Sequence, residues 1–170
     1  MKHLKILSGL LIAYALNSCS LFSEPEPTEL PPETQTGANT FGCLINGKVF
    51  TVSYGNLWKD YAGVLGMGGE NKDDLSINLG MDNVAAIGTY YYTRKANLSY
   101  SKLRGCSYGY DDIPISGKVE ITKFERGEDK ANNLKWLVVS GKFEGVITSR
   151  NSDCKDTIRI TQGRFDVKFQ

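Results

Sequence analysis

Residues 75–81 read LSINLGM, an alternation that places Leu75, Ile77, Leu79 and Met81 on one side of an extended chain. Period two is the repeat of a strand with one buried face, because successive side chains point to opposite sides of a sheet. Ahead of it, residues 41–52 (FGCLINGKVFTV) hold Asn46-Gly47 between two apolar runs. That pair is the strongest short hairpin signal, since both residues accept the positive φ of a tight turn. Behind it, strand candidates follow at 96–102 (ANLSYSK), 117–124 (GKVEITKF), 134–149 (LKWLVVSGKFEGVITS) and 156–169 (DTIRITQGRFDVKF). Residues 82–88 (DNVAAIG) read as one helical turn before TYYYTR, and no helical repeat interrupts the strands from Thr40 onward. The expected fold is all-β: a single antiparallel meander of about 8–10 strands, either a lipocalin-like β-barrel or a β-sandwich.

Both late strands carry a change of phase. In 134–147, Trp136 and Val138 share one parity while Val139, Phe143 and Ile147 share the other. In 157–169, Ile158 and Ile160 give way to Phe165, Val167 and Phe169 after Gly163. A phase change at glycine is how a β-bulge reads, because the extra residue often needs positive φ. A short theme recurs as GKVE at Gly117, GKFE at Gly141 and GRFD at Gly163. It sends the apolar side chain inward and both charges outward, either to a solvated sheet face with cross-strand pairs or to a binding strip.

The N-terminus concerns address. Lys2 and Lys5 precede an apolar run of about eleven residues, Ile6 to Leu16. A bilayer takes roughly 20 residues to cross, so this is the pattern of a secretory signal rather than a span. Leu16-Asn17-Ser18-Cys19 resembles the bacterial lipobox, which implies removal of residues 1–18 and acylation of the Cys19 thiol. Each buried methylene adds roughly 0.8 kcal/mol, so more than one acyl chain gives stable anchoring. Ser20 directly after Cys19 resembles an outer-membrane sorting signal, and Glu24 and Glu26 resemble a weak acidic signal for surface export. Periplasmic face and cell surface both stay open. Residues 23–39 hold four prolines and four glutamates with almost no large apolar side chain. Residues 19–39 are therefore expected to be a disordered tether, and residues 40–170 the β-domain.

Composition then excludes several classes. Of 20 Lys and Arg, the cut removes two, which leaves 18 against 19 Asp and Glu. No basic stripe points to nucleic acid. The single histidine, His3, leaves with the signal, and with it go a His general base, a Ser-His-Asp triad and His-ligated zinc. The chain is not expected to be an enzyme or to need a cofactor.

Residues 36–50 (TGANTFGCLINGKVF) and the stretches VVSGKFEGVI and DTIRITQGRFDVKF are similar to an uncharacterised family of Bacteroidota lipoproteins. That family joins a lipobox and a proline-rich tether to an N-T-F-G-C-x-[IV]-N-G-K start and an I-T-x-G-R-F-D-x ending. The likeness covers Thr36 to Val52, IGTY at Ile87 and about the last thirty residues. It implies the phylum, the envelope destination and an all-β domain, and it brings no catalytic residue.

The remaining candidates are cysteines, tyrosines and acids. Cys43 shares the Phe41/Ile45 side of its strand and reads as core, whereas Cys106 and Cys154 sit in polar, turn-rich settings. Export to an oxidising compartment favours a Cys106–Cys154 disulfide, with a Cys43 pairing as the alternative. Tyr90, Tyr92, Tyr108 and Tyr110 could offer rings for stacking on a glycan, or hold a small apolar ligand. Tyr91 then points the other way, into the core. Asp73-Asp74, Asp111-Asp112 and Asp153/Asp156 lack the spacing of a calcium loop, so no metal is expected. No two carboxylates are placed for glycosidase chemistry. Asp156-Thr157-Ile158 matches a Bacteroidota acceptor pattern for O-glycosylation at Thr157.

Overall fold

The computed structural model describes residues 28–52, 57–61, 64–71, 75–93, 96–102, 106–108, 115–148, 154 and 157–170. They form eleven strands: β1 (Thr40–Ile45), β2 (Lys48–Val52), β3 (Leu57–Tyr61), β4 (Val64–Glu70), β5 (Leu75–Asp82), β6 (Gly88–Tyr91), β7 (Ala96–Lys102), β8 (Ser107–Tyr108), β9 (Ile115–Asp129), β10 (Leu134–Thr148) and β11 (Thr157–Phe169). The protein is all-β, and every described pairing is antiparallel.

The strands make two sheets, ordered β2-β1-β11-β10-β9-β6 and β3-β4-β5-β7-β8. This corrects the single meander. Neighbours in sequence do pair from β9 to β11 and from β3 to β5, but β1 closes on β11 and β6 leaves its neighbours to pair with β9. Among the described residues no ladder joins the two sheets. They share one core, to which Phe41, Phe143 and Phe165 contribute from the first sheet and Leu65, Met67, Ile77 and Leu79 from the second. Two antiparallel sheets over a common core agree with the expected all-β fold, a sandwich or a barrel-like form.

Local chemistry explains most elements. Asn46 (φ 49°) and Gly47 (φ 82°) form the two-residue turn between β1 and β2. On β5, Ile77, Leu79 and Met81 are buried and Leu75 is half-buried, as the alternation requires. Residues 83–87 make no helix: Val84 is buried, and the chain then turns out to leave Ile87 exposed before β6.

One of the two bulges falls where the change of phase implies, on β11, and the other falls on the strand opposite. On β10, Leu137, Val139, Phe143 and Ile147 all face the core in one unbroken phase. The irregularity lies opposite, on β9, where Ser140 pairs with Lys123 and Gly141 with Ile121, so that Thr122 is the extra residue. On β11 the bulge precedes Gly163, and the positive φ belongs to Gln162 (φ 52°). Gly163 serves packing instead, because a Cβ there would overlap the Phe143 backbone and ring. The ring of Phe143 stacks on Phe41 at 5.1 Å and leans on Phe165 at 6.3 Å.

Cys106 and Cys154 are joined by a disulfide with their Cα atoms 5.7 Å apart. It ties the chain just before β8, on the edge of the second sheet, to the segment leading into β11 of the first. Cys43 is a free, fully buried thiol.

Candidate functional site

The outer face of the six-stranded sheet is built by the recurring glycine theme. Registration places Lys118 opposite Glu144, Glu120 opposite Lys142, and Lys142 opposite Arg164. Lys118 Nζ lies 3.7 Å from Glu144 Oε1. These side chains project to solvent while Val119, Phe143 and Phe165 fill the core beneath. The third copy of the theme breaks the pattern. Asp166 occupies the same relative position as Glu120 and Glu144, yet it is only 1 % exposed.

What covers Asp166 is the end of the supposed tether. Residues 31–39 lie as a strap across β1, β11, β10 and β9. The Asp166 carboxylate accepts hydrogen bonds from Thr34 Oγ1 at 2.7 Å and from the amides of Thr36, Gly37 and Ala38 at 2.9, 2.8 and 3.1 Å. From the sheet side, Ser140 Oγ donates at 2.7 Å. Gly37 (φ 77°) and Asn39 (φ 56°) bend the strap so that its amides converge, and Asn39 Oδ1 accepts the Lys168 amide. Burial alone would raise the Asp166 pKa. The hydrogen bonds, led by those of Ser140 and Thr34, override it and bring the carboxyl down to about 2.

Further contacts hold the strap at its margins. Lys123 Nζ donates to the Gln35 carbonyl at 2.8 Å, and Lys142 Nζ meets Glu33 Oε2 at 2.8 Å. The Lys142 ammonium, with Arg164 adding, holds the Glu33 carboxyl below its ordinary range. A Cβ at Gly42 would lie 2.7 Å from Pro31, and one at Gly37 would lie 3.0 Å from Val138. Disorder through Asn39 is thus corrected: composition gives this segment no core of its own, but a buried carboxylate on the sheet supplies partners for its amides. The signals that could have revealed it are TQTGAN, rich in turn formers just before β1, and Ser140 opposite Asp166.

Where the strap ends, the sheet face is open. A polar cleft of about 410 Å³ lies there, walled by Glu33 of the strap and floored by Lys142, Arg164 and the bulge at Gln162–Gly163. Lys118, Glu120 and Glu144 complete its sides. Tyr91 pairs with Lys118 on the neighbouring edge strand and is 69 % exposed.

Among the described residues, Tyr90, Tyr92 and Tyr108 do not form the expected exposed patch. Tyr108 is buried in the core against Tyr100, with ring centroids 5.7 Å apart. Tyr90 and Tyr92 are half-buried and pack on the core, and the Tyr90 hydroxyl donates to the Ala86 carbonyl at 2.8 Å. Among the described residues the buried Tyr92 hydroxyl finds no hydrogen-bond partner, and burial pushes its phenol up. Alternation separated Tyr91 from its neighbours correctly, but Tyr91 is the exposed ring, not the core one. Thr157 is exposed at the start of β11. Cys19, Tyr110 and the paired aspartates at 73–74, 111–112 and 153/156 lie outside the described residues. Among the described residues no group of acids, cysteines or histidine is placed to hold a metal.

No known protein family, curated protein or solved structure matches the chain.

Proposed function

We propose that the protein is a lipid-anchored β-domain of the outer envelope, a structural or binding component without catalytic chemistry. In this reading acylated Cys19 holds it in the outer membrane, on the periplasmic face or the cell surface. The observation that carries the reading is the strap: the last part of the Pro/Glu-rich segment is built into the sheet through Asp166. A pull from an N-terminal anchor would then be taken up across β1, β11, β10 and β9 instead of fraying β1 from its first residue. The strongly shifted groups fit a non-enzymatic role. Asp166 has both oxygens engaged by donors, and the Cys43 thiol is buried, with burial pushing its pKa up and away from reactivity. A second reading, a domain that binds a glycan or another ligand, is favoured by the open cleft beside the strap.

The test is fatty-acid labelling and membrane fractionation of the wild type and Cys19→Ala. Loss of label and release from the outer membrane are expected for the variant. Lipid label that persists on Cys19→Ala would overturn the reading.

A further inference from the structure

We infer, resting on the binding reading above, that the cleft at the edge of the strap takes a neutral oligosaccharide, with the exposed Tyr91 ring, next to the lining residue Lys118, as a stacking surface at its margin. Three observations carry this. The first is charge. The lining sets Lys118, Lys142 and Arg164 against Glu33, Glu120 and Glu144, three cations and three carboxylates. Such a site has no net charge with which to select an anion or a cation. Its donors and acceptors instead alternate at neighbouring register positions: Lys118 faces Glu144, and Lys142 faces Glu120. A sugar hydroxyl both donates and accepts, so a row of alternating ammonium and carboxylate groups suits a polyol better than any singly charged group.

The second observation is the ring. Tyr91 stands opposite Lys118 in the β6–β9 ladder, and directly opposed residues share a face with their Cβ atoms about 5 Å apart. Its exposure of 69 % is unusual for an aromatic residue on a strand whose neighbours Tyr90 and Tyr92 are packed inward. An exposed ring beside convergent polar groups offers the apolar face of a pyranose a surface on which to stack. The third is size and shape. About 410 Å³ falls within the range of small-ligand pockets, roughly 300–1,000 Å³. The site is a cleft on the sheet face with Glu33 of the strap at one side and Lys118, the ladder partner of Tyr91, among its lining residues, so a chain of sugars can run from it onto the exposed ring.

The full-length protein in detergent micelles is titrated with maltohexaose, cellohexaose, xylohexaose, mannohexaose and chitohexaose, and with hexagalacturonate as the acidic control. Binding is followed by calorimetry and by amide chemical shifts. At least one neutral hexasaccharide is expected to bind and to shift the signals of Lys118 and Glu144. Tyr91→Ala and Glu144→Gln should each weaken that binding about tenfold or more at unchanged melting temperature, while Tyr91→Trp, which keeps a ring, should retain it. No binding by any neutral probe, binding of hexagalacturonate alone, undiminished binding in Tyr91→Ala, or loss in Tyr91→Trp would each overturn the inference. The anchoring reading stands or falls separately, on the labelling of Cys19→Ala.

Discussion

GKFE at 141–144 and GRFD at 163–166 lie on adjacent strands, with Phe143 opposite Gly163 and Gly141 opposite Phe165. Their sequences are near copies, and their acids meet opposite fates. Glu144 stands in the open half of the outer face, 3.7 Å from Lys118 and with its side chain 56 % exposed. Asp166 lies in the covered half, out of water and held by donors from the strap and from Ser140. The local pattern decides which face a residue takes. Whether that face is solvent or interior is decided by a segment about 130 positions away, as the Thr36 to Asp166 hydrogen bond shows. A carboxylate in water can lose its partner cheaply, whereas one that organises buried amides cannot.

The largest effect that would break this contrast is expected from Asp166→Ala. It leaves the Ser140 hydroxyl and three strap amides without their acceptor, at a cost of about 3–5 kcal/mol in urea denaturation. A loss below about 1 kcal/mol would place Asp166 with Glu144 as an ordinary surface acid.

Acidity should separate the halves next. The Asp166 carboxyl titrates at about 2 in the folded chain, below its unfolded value near 3.9. Its contribution is therefore complete above about pH 4 and disappears as pH falls from there through 2. The size is roughly 2 kcal/mol. Denaturation between pH 5 and pH 2 should show this loss in the wild type and not in Asp166→Asn. Equal pH dependence in both proteins would contradict the assignment.

Much of this was legible in sequence, and the rest was hidden for physical reasons. The Asn46-Gly47 turn, the face of Ile77, Leu79 and Met81, and the core placing of Cys43 follow from contacts within a few residues. Sheet order did not follow, because the β1–β11 and β6–β9 pairings are long-range and a repeat of two carries no partner identity. Alternation likewise fixes parity without sign. It split Tyr91 from Tyr90 and Tyr92, but only pairing with Lys118 on β9 sends Tyr91 outward. The bulge beside Gly141 shows the same limit, since β10 keeps one phase there and the extra residue, Thr122, belongs to its neighbour β9. The strap was the hardest to foresee. Its composition speaks against a core of its own, and it needs none while Asp166 is present.

Smaller effects sharpen the boundary between the halves. Thr34→Val removes the 2.7 Å hydroxyl donor to Asp166 and spares the amides, so a loss of about 1–1.5 kcal/mol is expected by the same denaturation. Glu144→Gln, in the open half, should change stability by no more than about 0.5 kcal/mol. If the two substitutions cost the same, the division of the face has no energetic content.

Amide hydrogen exchange at Thr36, Gly37 and Ala38 asks most directly whether the strap is held by the buried carboxylate. In the wild type these three amides should exchange slowly, in step with the β10–β11 ladder. In Asp166→Asn they should become fast while the ladder amides stay protected. Exchange at unstructured-chain rates in the wild type, or protection that survives the substitution unchanged, would contradict it.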